Sequence, residues 1–224
     1  MRKFLRENSL SIFFFVVLFA AVLGQSVAGL HDYNAEQLAH GETTISWAGY
    51  VTSPDFWAAV MENWQSEFLQ FSLFILATIW LIQRGSNESK PLEDVGGESD
   101  RKQRVGGWTS PESPTWARLR GWRLWLLSNS LLLVMTTIFF ATWAAQSLAD
   151  WRVFNEEQLE HGEQPISWGS YLIDPDFWEK TLQNWQSEFL AVGTMAVFTI
   201  YLRQRGSPES KPVGAPHDQT GTSG

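Results

Sequence analysis

Asn63-Trp64-Gln65-Ser66-Glu67-Phe68-Leu69 recurs letter for letter as Asn184-Trp185-Gln186-Ser187-Glu188-Phe189-Leu190. The two stretches belong to a longer duplication. Residues 8–91 align with 129–212 without a gap, about 121 positions apart, and about half of the aligned positions are identical. In the first copy the identities also include Asn34, Glu36-Gln37-Leu38, His40-Gly41-Glu42, Ile45-Ser46-Trp47, Tyr50 and Pro54-Asp55-Phe56-Trp57. They end with Gln83-Arg84-Gly85-Ser86 and Glu88-Ser89-Lys90-Pro91. The long apolar runs keep their hydrophobicity but change their letters. The chain is thus its own small alignment, in which held positions stand apart from those that only had to stay apolar.

Two apolar runs, Ser9 to Leu30 and Leu124 to Ala149, carry no charge. Each is at least the ~20 residues that cross a hydrocarbon core of roughly 30 Å. Two shorter runs, Phe68 to Ile82 and Phe189 to Leu202, reach about 19 residues, or roughly 28 Å, when extended back to Trp64 and Trp185. Four transmembrane helices are expected. Arg2, Lys3 and Arg6 precede the first span, and eight Lys or Arg residues lie in the connector between Arg84 and Arg123. Arg203, Arg205 and Lys211 follow the last, whereas residues 30–66 contain no Lys or Arg. The positive-inside rule then puts both termini and the connector in the cytoplasm and both repeat loops outside. The net charge of −8 falls largely on those loops, which leaves no basic face for nucleic acid. The absence of cysteine excludes disulfides and thiolate metal sites.

The start of the chain also resembles a signal peptide, with a basic lead, an apolar core and Ser26-Val27-Ala28 as a small-x-small ending. Gln146-Ser147-Leu148-Ala149 occupies the equivalent place in an internal helix, so the motif belongs to the repeat and the first helix is expected to be retained. The organisation expected is a hairpin repeat over 8–91, a cytoplasmic linker over 92–118, a second hairpin over 119–212 and a disordered tail over 213–224. Repeats entering the membrane in the same direction are parallel repeats, related by an axis along the membrane normal. The fold class is all-α: four transmembrane helices as two tandem hairpins with short helical extracytoplasmic caps.

Within the loops, Asn34 and Gln37 form a capping-box pattern for a short helix that Gly41 would close, repeated by Asn155, Gln158 and Gly162. Ser53-Pro54-Asp55 and Asp174-Pro175-Asp176 start the return helix, expected to end near Arg84. Phe56, Trp57, Val60, Met61, Trp64 and Phe68 share a face suited to lipid headgroups or the other copy.

Glu67 and Glu188 are the strongest candidates for function, since a carboxylate at the edge of a span is costly. Gln25 and Gln146 lie at similar depth, and a Gln–Glu hydrogen bond between helices is one reading. The other is that symmetry brings the two carboxylates together to share a proton or cation. His40 and His161 stand one turn beyond Glu36 and Glu157 on a helix and could hold an external metal, although a hydrogen-bonded His is the simpler reading. Trp64 and Trp185 read as interfacial anchors, Arg84 and Arg205 as helix ends at the cytoplasmic surface. Identity continuing to Lys90-Pro91 exceeds what a helix end requires; an ion-paired clasp or a partner contact would account for it. No nucleophile–base pattern, phosphate loop or dinucleotide fingerprint occurs.

The combination His-Gly-Glu, Asn-Trp-Gln-Ser-Glu-Phe-Leu and Gln-Arg-Gly-Ser-x-Glu-Ser-Lys resembles a bacterial family of small membrane proteins catalogued as a domain of unknown function. The resemblance covers nearly all of both repeats. It implies a bacterial plasma-membrane protein and carries over no activity, ligand or catalytic residue. The expectation is a multi-pass, non-enzymatic membrane module without a cofactor, partnered by the lipid bilayer and by further copies of itself or an envelope protein. A small oligomeric transporter or channel using the carboxylates is the alternative, and a metal-binding membrane enzyme the weaker one.

Overall fold

The computed structural model describes residues 2–221 and, among them, contains helices and turns but no strand. Among the described residues seven α-helices occur: α1 Arg2–Glu7, α2 Ser9–Ala39, α3 Trp47–Tyr50, α4 Pro54–Trp80, α5 Trp122–Glu160, α6 Trp168–Tyr171 and α7 Pro175–Tyr201. Each repeat is therefore a long helix, a one-turn helix and a second long helix. At 1.5 Å per residue α2 and α5 are roughly 46 and 58 Å long, and α4 and α7 roughly 40 Å.

Among the described residues, α2 and α5 are long and apolar enough to cross a membrane, with mean hydropathy 2.3 and 1.9 in their best windows. The reason α4 is less apolar lies in its first half. Asp55, Glu62, Asn63, Gln65 and Glu67 precede the apolar run from Phe68.

The loop departs from the expected separate capped helix. Asn34 does not start a helix; α2 continues through it without a break, because nothing before Gly41 opposes helix. The Asn34 side chain instead clasps the returning loop: its amide donates to the Ile45 carbonyl at 3.0 Å and its oxygen accepts from the Ile45 N–H at 2.8 Å. Asn155 makes the same pair with Ile166, at the same two distances. Gly41 (φ 79°) does end the helix as expected. The Glu42 N–H reaches the Gln37 carbonyl and the Gly41 N–H that of Leu38, the left-handed closure that satisfies the last carbonyls. Gly162 repeats it at φ 73°.

A second tie joins loop to long helix. The Trp47 indole donates to the Ser26 hydroxyl at 3.0 Å and the Trp168 indole to Ser147 at 3.2 Å. The serine that resembles part of a cleavage site is thus a docking point for a loop tryptophan in both repeats. Ser46 and Ser167 then cap α3 and α6 by accepting from Gly49 and Ser170. Return helix α4 starts at Pro54 as expected, with the Ser53 hydroxyl accepting from Phe56, but α4 ends at Trp80 rather than near Arg84.

The chain divides into two compact units, Met1–Asn63 with Trp143–Trp178, and Trp64–Thr142 with Glu179–Gly224. Each holds parts of both repeats. The first, here the loop unit, has a core of Tyr50, Phe56, Val60 and Met61, against which Val22, Leu30, Tyr33 and Ala145 pack. The stripe expected to face headgroups or the other copy is therefore divided: Phe56, Val60 and Met61 are buried, while Trp57 and Trp64 stay exposed. Gly29 is required here, because a Cβ would sit 2.1 Å from the Tyr50 hydroxyl oxygen. In the second copy that position is Asp150, and the Tyr171 hydroxyl donates to Asp176 at 2.8 Å.

The second, the motif unit, contains the Gln-Arg-Gly-Ser-x-Glu-Ser-Lys segments. The tail, expected to be disordered from 213, has a defined course as far as Gly221, whose N–H donates to the Ser86 carbonyl.

Candidate functional site

In the loop unit, the ends of α2 and α5 bring His40 and His161 to one open cleft of about 340 Å³, which Glu42 and Glu160 also line. Glu36 and Glu157 are exposed beside it and do not line it. The cleft is acidic. Burial pushes the nearby Tyr33 phenol above its ordinary pKa, and the charges of Asp55, Glu156, Glu42 and Glu160 add to the push. Among the described residues no three His, Asp or Glu side chains converge as a metal centre requires.

The spans' polar residues have partners other than those expected. The Gln146 amide donates to Asp150, one turn on in its own helix, at 3.0 Å. Its carbonyl oxygen is buried and unpartnered. Gln25, its repeat equivalent, is half-buried. In the motif unit Ser66 donates to Glu188 at 3.4 Å, and Glu188 is near enough for its charge to act on Glu67. The two carboxylates singled out by sequence are thus neighbours. The Trp185 indole donates to the fully buried Gln65 at 2.8 Å, whereas Trp64 is 37% exposed.

The repeated segment after the helix ends is built the same way twice. Ser89 and Ser210 hydroxyls accept from the Gln83 and Gln204 N–H groups, both at 2.9 Å. Ser86 and Ser207 accept from the Glu88 and Glu209 N–H groups at 3.1 and 3.2 Å. Hydroxyls that bond the backbone two residues on fix a tight turn, and here each turn presents a glutamate. Arg84 pairs with Asp218 at 3.4 Å on the surface, and Arg205 is exposed.

The expected clasp within the motif takes another form. Lys90 bonds the Gly96 carbonyl and pairs with Glu98, each at 3.2 Å. Lys211, only 1% exposed, donates to the carbonyls of Gly85, Pro216, His217 and Gln219. Burial pushes this ammonium below its ordinary pKa, and Arg203 adds to the push. Gly85 (φ 87°) leaves room for the tail, since a Cβ there would meet the His217 carbonyl at 2.3 Å.

The motif glutamates face each other. Glu88 and Glu209 line one cavity of about 210 Å³, walled by Phe71, Phe74, Val192 and Met195 with Gln70 and Ala191 at its edge. Every lining position has its repeat equivalent in the lining: 70 with 191, 71 with 192, 74 with 195, 88 with 209. The cavity therefore sits where the two copies meet. Burial pushes the Glu88 carboxyl above the usual range, and the facing Glu209 charge pushes in the same direction. One Glu88 carboxyl oxygen is closed off from solvent with no hydrogen-bond partner. In the sequence these glutamates stand only as members of the held motif. The available signal was their identity beyond the helix end.

Among the described residues the chain is all-helical, with two helices long and apolar enough to cross a membrane. The chain belongs to the family described as domain of unknown function (DUF6766), whose match covers residues 1–222. No curated protein and no solved structure matches it.

Proposed function

We propose that the protein is a non-enzymatic plasma-membrane module of four spans, with N and C termini cytoplasmic and the two loops forming a rigid extracytoplasmic cap that engages an envelope partner or another copy. The observation that carries this reading is that both loops are pinned by the same side-chain ties, Asn34 to Ile45 and Trp47 to Ser26, repeated as Asn155 to Ile166 and Trp168 to Ser147. Loops that only connect spans need no such ties, whereas recognition surfaces need a fixed shape. Topology rests on the distribution of Lys and Arg. The shorter spans rest on the apolar second halves of α4 and α7. The cap offers partners an acidic cleft bearing His40 and His161.

The neighbouring Glu67 and Glu188 support a second reading, a small oligomeric transporter or channel. Flux of protons and alkali cations into proteoliposomes separates the two. Flux no greater than in empty liposomes supports the module; flux abolished by Glu67→Gln or Glu188→Gln overturns it in favour of transport.

A further inference from the structure

The geometry points to a binding site for a monovalent organic cation, a protonated amine with a small apolar body, in the cavity capped by Glu88 and Glu209. This stands apart from the function proposed for the loop cap, since every residue it uses lies in the motif unit.

Three observations meet at this place. First, the cavity is apolar and of a useful size: two Phe rings, a Val and a Met wall about 210 Å³. An apolar cavity of about 150 Å³ holds a benzene ring, so this one admits a ring with a compact ammonium head. Second, two carboxyls are gathered with no cation: Glu88 hydrogen-bonds the exposed Glu209, a contact that needs one shared proton and leaves a single negative charge on the pair. Among the described residues no ion pair involves Glu88 or Glu209. The lysines of the same motif, which could have neutralised them, are held elsewhere: Lys90 by Gly96 and Glu98, Lys211 by four carbonyls. Third, the Glu88 carboxyl oxygen that is shut off from solvent has no donor, a cost normally offset by a partner.

A protonated amine meets all three conditions, since its N–H also supplies the donor that the Glu88 oxygen lacks. Its charge balances the single negative charge of the proton-sharing pair, and its body fills the cavity lined by Phe71 and Phe74. An alkali ion leaves the apolar walls unused, and a divalent ion lacks the oxygen ligands it requires. The repeat equivalence of the lining supplies the logic: duplication brings two copies of one carboxylate to one place, and the unit charge between them is shared by both repeats.

The test uses the full-length protein in nanodiscs, titrated calorimetrically with benzylammonium. Benzoate serves as the anion of similar size, and empty nanodiscs as the blank. Saturable binding is expected for the ammonium and none for benzoate. The Glu88→Gln/Glu209→Gln double variant is expected to bind at least about tenfold more weakly, the scale of one lost charge-assisted contact. Ala191→Phe, which fills the cavity and keeps both carboxylates, should abolish binding and guards against misfolding of the first variant. No saturable binding by the wild type, equal binding of benzoate, or undiminished binding by either variant overturns the proposal. The measurement involves no gradient, so its outcome is separate from that of the flux assay.

Discussion

At the scale of single residues, the side chains that decide this structure are those joining distant backbone, and they were only partly legible in the sequence. Asn34 was visible as a held position, but a capping-box pattern is local and says nothing about a carbonyl eleven residues on. Its use became readable only once Gly41 turned the chain back. Asn34→Ala removes both bonds to Ile45 and is expected to cost about 1–3 kcal/mol. Hydrogen exchange at the Ile45 amide should rise sharply, and an unchanged rate would contradict the clasp. Glu88 gives a pH signature. Its carboxyl is raised above 4.5 by burial and by Glu209. The native state then holds more protons than the unfolded one as pH rises from 4.5, so stability falls through that window. The charged group facing it is Glu209, since Lys90 and Lys211 are engaged elsewhere. Melting temperature should decline from pH 4.5 toward neutrality, and Glu88→Gln should flatten the decline. An equal slope in wild type and variant would remove Glu88 as its cause.

At the scale of elements, helix existence followed from apolar runs and from glycines that stop them, and Gly41 and Gly162 act as the sequence suggests. Helix length was less legible. The expected span and separate cap helix are one continuous rod, α2, because the change in polarity along it is not a change in backbone structure. At the other end, α4 stops at Trp80, where Ser89 offers its hydroxyl to the Gln83 N–H and the chain folds back. Helix α2 meets the loop through Gly29 with no space to spare. Gly29→Ala is expected to destabilise the loop unit by about 1–3 kcal/mol, the usual cost of overpacking. The measurement is thermal unfolding followed by the loop tryptophans. A melting curve superimposable on the wild type would show that Tyr50 is not seated on that glycine.

At the scale of the whole molecule, duplication explains more than repetition of a hairpin. It makes equivalent residues meet: His40 and His161 in one cleft, Glu188 beside Glu67, Glu88 beside Glu209. Sequence reading raised the first two encounters only as alternatives to a locally bonded histidine and a Gln–Glu hydrogen bond. It missed the third because the glutamates looked like part of a helix end, and nothing in a linear motif reveals that the turn after α4 folds back toward Phe74. We propose that both hairpins cross the membrane with their loops on the same, outer side. The chain contains no cysteine, so single cysteines report position without background. Thr43→Cys and Gln164→Cys should both react with a membrane-impermeant maleimide on intact cells, and Asp100→Cys only after the cells are permeabilised. Labelling of Asp100→Cys on intact cells, or protection of either loop position, would contradict the account.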